Sequence, residues 1–181
     1  MDTEIEVPVL LSLWLGLRKS EICGLKWDCV NEKESTITIK KAMIVDKNNK
    51  YVLKKTTKTV SSARKLKVPI FIMDKIKQVP KIGEFVININ NNVLYKKFKR
   101  ILNKNKLPPE IRFHDLRHFN ASVMLLLNIP DKYAMERNGW ATNYTMKNVY
   151  QHTFSDERIT VDNNVDNYFL SLLSHRLSHK N

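Results

Sequence analysis

The chain has 181 residues, enough for one domain with its own core, and its 43% hydrophobic content excludes an intrinsically disordered protein. Lys and Arg total 31 against 18 Asp and Glu, and the net charge of +13 favours nucleic acid as a partner. The four glycines form no phosphate-binding loop, and the two cysteines match no zinc pattern. The longest apolar run, residues 7–17, is too short to span a membrane, and the chain begins with acidic residues, unlike a secretory signal. We therefore expect a cytoplasmic protein that contacts no membrane.

The first half of the chain predicts helices followed by strands. Dense apolar residues over 7–17 predict a buried helix, and a second helix follows, with Ser20 as its cap. Alternation over residues 36–40 predicts a strand, and the turn-forming run 46–50 predicts a hairpin that returns through residues 51–53. A third strand is predicted at residues 66–70, where Pro69 suits an edge position.

The second half predicts helices. Residues 90–92 can cap a helix whose apolar face includes Leu94 and Phe98. The segment that begins at His114 continues as a helix through residue 127, and Pro130 opens another. The polar face of the helix after residue 92 fits either bulk solvent or DNA phosphates. Its basic residues are Lys96, Lys97, Lys99 and Arg100.

Two arginines stand out as candidates for chemistry on a phosphate. Arg18 follows the apolar helix and can be paired by Glu21, while Arg117 lies one helical turn from His114. If the two guanidinium groups converge, they can grip the oxygens of one phosphate and stabilise the added charge of its transition state. Structural Arg–Glu pairing alone is the plainer interpretation of Arg18.

His114 and His118 also have the spacing of a zinc-protease helix, with Asp115 in place of the usual Glu. Arg117 would then lie beside the metal, and only His152 offers itself as a third ligand. We therefore favour a structural role for His118 and expect no metal.

The arrangement of motifs resembles that of the tyrosine recombinases, the phage-integrase family. The residues that carry the resemblance are Gly16-Leu17-Arg18-Lys19-Ser20-Glu21, then Phe113-His114-Asp115-Leu116-Arg117-His118, and finally Asn138-Gly139-Trp140. Tyr150 follows Trp140 by ten residues. Order, spacing and residue types agree over roughly residues 8–154, which makes the resemblance specific.

The resemblance implies a role for each matching residue. Tyr150 is the expected nucleophile, which attacks a DNA phosphate to leave a 3′-phosphotyrosine and a free 5′-hydroxyl. Arg18 and Arg117 are expected to hold the phosphate, His114 to assist proton transfer, and Glu21 to support the site. Trp140 stands where many relatives have histidine; its indole N–H can donate to a phosphate oxygen but cannot shuttle protons.

The family's hairpin lysine, which protonates the leaving oxygen, matches Lys58 best. Lys54, Lys55 and Lys65 lie nearby and compete for this role. No cofactor is implied, because one phosphodiester is exchanged for a phosphotyrosyl ester of similar energy.

The implied fold is α+β, mainly α-helical, with a small three-stranded antiparallel sheet. We expect a catalytic domain at residues 1–155 and a C-terminal tail at residues 156–181 that contains an amphipathic helix, whose apolar stripe includes Phe169 and Leu173. The tail either docks on a neighbouring subunit, as in the family, or folds back on its own domain. The implied partners are double-stranded DNA, further copies of the chain in a tetramer on DNA, and an accessory directionality factor.

These features predict a recombinase or integrase of a mobile element, in the form of a catalytic fragment. A type IB-like topoisomerase shares the tyrosyl chemistry, and a DNA-binding regulator that keeps the fold without turnover is the non-enzyme alternative.

Overall fold

A computed structural model of the chain describes residues 3–55 and 63–142. The helices are α1 (Thr3–Leu15), α2 (Lys19–Cys23), α3 (Ile70–Lys77), α4 (Asn91–Lys104), α5 (Asp115–Leu126) and α6 (Asp131–Asn138). The strands are β1 (Val30–Asn31), β2 (Thr36–Ile39), β3 (Lys41–Val45), β4 (Tyr51–Lys55) and β5 (Arg64–Lys67). This is the predicted α+β class, mainly α-helical. None of these helices combines the length and apolar character needed to cross a membrane.

The strands of the described segments form two antiparallel sheets. One has three strands in the order β1-β2-β5, with Thr36 opposite Lys67, and the other is the β3-β4 hairpin. The predicted turn at residues 46–50 is confirmed. The Asp46 carboxylate stabilises it by accepting hydrogen bonds from the backbone N–H groups of Asn48 and Lys50. The returning strand, however, pairs with β3 and not with the strand at 36–40, so β1 completes the three-stranded sheet.

Two of the predicted boundaries were wrong. Pro69 is not in an edge strand but precedes the first residue of α3, where its C=O accepts from the backbone N–H groups of Ile72 and Met73. Its fixed φ and missing N–H suit a helix start. The residue that precedes α2 is Arg18 rather than Ser20, and Glu21 accepts from the Arg18 backbone N–H at 2.9 Å.

The first helix is the centre of the core. Ile5, Val7, Leu11 and Leu15 are buried, and α1 packs against α2, α3, α4 and α5. The predicted cap of α4 is confirmed, since the Asn90 side chain accepts from the second and third residues of the helix. The end of α1 and the starts of α2 and α5 meet beside the C-terminal end of α6.

Candidate active site

Three arginines converge on the C-terminal end of α6. The consecutive backbone carbonyls of residues 137–139 accept, in order, from Arg64 Nε at 2.9 Å, Arg117 Nη2 at 2.7 Å and Arg18 Nη2 at 3.1 Å. The last carbonyls of a helix lack intrahelical partners and lie at the negative end of its dipole. The end of α6 thereby collects three guanidinium groups from three separate segments of the chain.

Gly139 makes this convergence possible. Its φ is +63°, in the left-handed region that terminates helices, and this conformation is strained for any residue with a side chain. A Cβ at this position would lie 2.7 Å from Arg64 Nη1. The left-handed backbone conformation and the close approach of Arg64 therefore both favour glycine at position 139.

Glu21 lies between two of these arginines. Its Oε1 accepts from Arg18 Nη1 and Arg64 Nη1, both at 3.1 Å, and its Oε2 accepts from the Arg18 backbone N–H and Arg64 Nη2, both at 2.9 Å. Burial on its own would raise the pKa of the Glu21 carboxyl, but the hydrogen bonds and charges of Arg64 and Arg18 outweigh burial and lower the pKa. Glu21 is thus a buried carboxylate held ionised by two cations.

Arg117 is 2% exposed, although it is an arginine. Its Nη1 donates to the Gly16 carbonyl, its Nη2 to the Asn138 carbonyl, and its Cζ lies 5.2 Å from the centre of the Trp140 ring. Burial, followed by the nearby charge of Arg18, lowers the pKa of Arg117. Gly16 has φ +65°, and a Cβ there would collide with the buried Asn138 side chain.

The two histidines of the second motif pack edge to face, with ring centres 4.6 Å apart. His114 stands at the start of α5, and His118 lies one turn later with its Nδ1 buried and without a hydrogen-bond partner. Burial lowers the pKa of both imidazoles, and for His114 the charges of His118, Arg117 and Arg18 lower it further. The lowered pKa values favour the neutral form of both imidazoles, and a neutral His114 has a ring nitrogen that can accept a proton.

The structure thus brings together Arg18, Glu21, His114, Arg117 and Trp140, which the sequence analysis singled out from three motifs. Lys58, Tyr150 and the tail from residue 156 lie outside the described residues. Of the competing lysines, Lys65 is paired with Glu34, and Lys54 is exposed on β4.

Arg64 is the residue that the sequence analysis missed. Its side chain is 4% exposed and forms a two-pronged ion pair with Glu21. The signal was present, because Arg64, Leu66 and Val68 alternate with exposed residues and are all buried. Extending the predicted strand by two residues toward the N-terminus would have placed Arg64 on the inner face.

The basic residues of α4 point in different directions. Lys96 and Arg100 are exposed one turn apart, whereas Lys97 is paired with Glu4 of α1. Lys99 donates to the Ile111 carbonyl, in the segment that leads to α5. Lys99 and Lys19 lie 5.6 Å and 5.5 Å from the centre of the Tyr95 ring, on the side of α4 that faces α2.

The described segments contain no group of three or more His, Cys, Asp or Glu residues that could hold a metal ion. His114 and His118 therefore have no third ligand among residues 3–55 and 63–142, and His152 lies outside them.

Two curated proteins are similar to this chain in sequence. The chain is 26% identical over 191 aligned residues to a "Tyrosine recombinase XerC-like" protein of Caldanaerobacter subterraneus subsp. tengcongensis, covering 89% of the chain and 49% of that protein. It is also 42% identical over 60 residues to an integrase of Saccharopolyspora erythraea, covering 33% of the chain and 14% of the relative.

Among solved structures, the integrase of the Tn1549 transposon in complex with transposon right end DNA superposes with a TM-score of 0.70 at 21% identity, covering 87% of this chain and 57% of that one. The XerA recombinase superposes with a TM-score of 0.64 at 14% identity, covering 87% and 59%. These likenesses confirm the predicted fold. The chain spans about half the length of the XerC-like relative.

The family model described as "Phage integrase family" matches residues 4–157, which include all the motifs above and Tyr150. The chain belongs to the phage integrase family.

Proposed function

We propose that this chain is the catalytic part of a site-specific DNA recombinase of a mobile element, which cuts and rejoins double-stranded DNA through a 3′-phosphotyrosine at Tyr150. The observation that carries the proposal is the convergence of Arg18 and Arg117 on adjacent carbonyls of residues 138 and 139. Two guanidinium groups held side by side by fixed acceptors form a preorganised, positively charged site for a phosphate.

In this mechanism Arg18 and Arg117 have different roles. The Arg18 side chain is 38% exposed and is the group that meets the incoming phosphate, whereas buried Arg117 supplies positive charge from the floor of the site. The low-dielectric surroundings of Arg117 strengthen its attraction for the charge that develops at phosphorus. The ring of Trp140 packs against this guanidinium and limits the access of water.

The proton transfers follow from the charge states. The Tyr150 hydroxyl loses its proton as its oxygen bonds to phosphorus, and neutral His114 is suited to accept that proton. The bond from phosphorus to the 5′ oxygen breaks, and Lys58 protonates the departing oxygen. Rejoining reverses these steps with a different 5′-hydroxyl. Because one ester replaces another, the exchange needs no nucleotide hydrolysis.

The DNA surface that we assign to the chain lies on α4 and the adjoining α2. Lys96 and Arg100 form no ion pair with the described residues and share one exposed face of α4. Lys19 is next to Arg18 in sequence, and with Lys99 it flanks the half-exposed Tyr95 ring. Lys97 contributes less, because Glu4 already neutralises its ammonium group.

We also assign the tail, residues 156–181, to an apolar groove of a neighbouring copy on DNA. The groove runs between α1, α5 and α6 and leaves Trp14, Phe119, Leu127 and Tyr133 exposed. The tail offers an apolar stripe that includes Phe169 and Leu173, which matches the groove in character.

Assembly on DNA tests the tail assignment. Truncation after residue 155 and Phe119→Asp should both abolish complexes that contain more than one protein copy in a native gel. If truncation instead lowers the melting temperature of the free chain and leaves assembly intact, the tail packs on its own domain.

The cleavage reaction is tested with a pool of nicked duplexes of randomised sequence, incubated with the chain in EDTA. Denaturing gels should show a covalent protein–DNA adduct with the wild-type chain and none with Tyr150→Phe, and peptide mapping should place the nucleotide on Tyr150. If no adduct forms although DNA binding is retained, the chain is instead a DNA-binding regulator that keeps the fold without turnover. Relaxation of supercoiled DNA without strand exchange would favour the topoisomerase.

A further inference from the structure

We propose that Arg64 is a positioning residue of this active site, and that its guanidinium neutralises Glu21 so that the positive charge of Arg18 remains available to a phosphate. The inference rests on the proposed function for the identity of the anion. It arises from the buried ion pair on β5, which the expected mechanism does not use.

Glu21 has two opposing effects on Arg18. Its carboxylate orients Arg18 through Nη1 and the backbone N–H, at 3.1 Å and 2.9 Å. The same negative charge, so close to the guanidinium, opposes the attraction of Arg18 for an anionic phosphate. A support of this kind is useful only if another cation cancels the charge of the carboxylate.

Arg64 meets that requirement. Both terminal nitrogens of its fork donate to the two Glu21 oxygens, at 3.1 Å and 2.9 Å, in the planar arrangement that only arginine provides. Its Nε is held by the Arg137 carbonyl at 2.9 Å, so the fork cannot swing away. The carboxylate is thereby neutralised by one arginine while it orients another.

Burial excludes a direct role. The Arg64 side chain is 4% exposed and lies behind Glu21, so it has no free surface for DNA. Gly139 lies against its guanidinium, and the Gly139 carbonyl accepts a hydrogen bond from Arg18 Nη2 at 3.1 Å. Arg64 therefore acts on the reaction through Glu21 and Gly139, by fixing the position and effective charge of Arg18.

Cleavage of two substrates separates this role from a structural one. With an ordinary scissile phosphate, Arg64→Met should lower the single-turnover cleavage rate by about 100-fold, the scale of a displaced catalytic group. With a methylphosphonate at the scissile position, which carries no negative charge, wild type and Arg64→Met should react at nearly equal rates. Arg64→Lys, which keeps the charge, should recover part of the loss. Lys81→Met removes an exposed ion pair with Glu32 and should leave both rates unchanged.

Orthovanadate supplies a readout that does not need cleavage. Its dissociation constant, measured calorimetrically on protein whose folding is verified by thermal melting, should rise about tenfold or more in Arg64→Met. The inference would be overturned if wild type and Arg64→Met bound vanadate with equal affinity, or if Arg64→Met lost the same factor in rate on the charged and the uncharged substrate. A wild-type chain that binds vanadate but forms no adduct would refute the proposed function instead, and the vanadate comparison would still decide the role of Arg64.

Discussion

Arg18 and Gly139 are joined by a hydrogen bond of 3.1 Å between Nη2 and the backbone carbonyl, across 121 residues of sequence. This contact links the first and third motifs directly. Because neighbouring carbonyls hold Arg117 and Arg64, a disturbance at the end of α6 reaches all three guanidinium groups at once.

Gly139→Ala should destabilise the fold by about 1–3 kcal/mol, because alanine is strained at positive φ. The added Cβ would also meet Arg64 Nη1 at 2.7 Å. Urea denaturation of Gly139→Ala and Gly83→Ala provides the measurement. Gly83 has a comparable φ of +76°, but its Cβ would meet nothing closer than 4.0 Å, so this control carries only the backbone strain. Equal losses in the two variants would show that the contact with Arg64 is harmless.

Glu21→Gln should cost about 3–5 kcal/mol of unfolding free energy at pH 7, since it leaves the Arg64 charge buried and unpaired. The matched change Glu84→Gln, in an exposed pair with Lys26, should cost no more than about 1 kcal/mol. A small loss in Glu21→Gln would mean that the buried pair contributes little.

The same pair predicts a pH dependence. The pKa of Glu21 is lower in the folded protein than its usual 4.5, so its contribution to stability is present above pH 4.5 and is lost as the pH falls through the folded-state pKa. The stability difference between wild type and Glu21→Gln should therefore shrink below pH 4.5. A stability difference that stays constant as the pH falls well below 4.5 would contradict the assignment.

His114 should titrate below its usual pKa of 6.5 in NMR spectra of the imidazole protons, because burial and the charges of His118, Arg117 and Arg18 oppose its protonation. The unfolded chain takes up this proton at a higher pH than the folded chain, so stability should rise as the pH increases through the region just below 6.5. Arg18→Gln should move the midpoint upward. A midpoint at or above 6.5 in the free wild-type chain would argue against a neutral base.

Substitutions on α4 should separate the basic residues by their salt dependence. If Lys96 and Arg100 each neutralise one phosphate, Lys96→Ala and Arg100→Ala should each reduce the slope of log K against log salt by about 0.9. Lys97→Ala should change the slope less, because Glu4 already pairs with Lys97. Fluorescence anisotropy over a salt series measures all three variants, and equal changes would contradict the division of the helix into faces.

Local patterns predicted those features that depend on neighbours in the sequence. The Asn90 cap, the turn at residues 46–50 and the start of α6 after Pro130 all follow from backbone chemistry within a few residues. The strand β3 was not predicted, and it is β3 that pairs with β4 across the predicted turn.

The sequence by itself determined the family of the chain and its main helices, and it predicted that Arg18, Glu21, His114, Arg117 and Trp140 belong to one candidate site. Only the tertiary structure decided how these residues are held. Arg64 belongs to the cluster because β5 places it against the end of α6. Glycine is required at position 139 because the Cβ of any other residue there would collide with that arginine. Hydrogen bonds between segments 43 and 121 residues apart exist only once the core around α1 has packed, since neither partner is within local reach of the other.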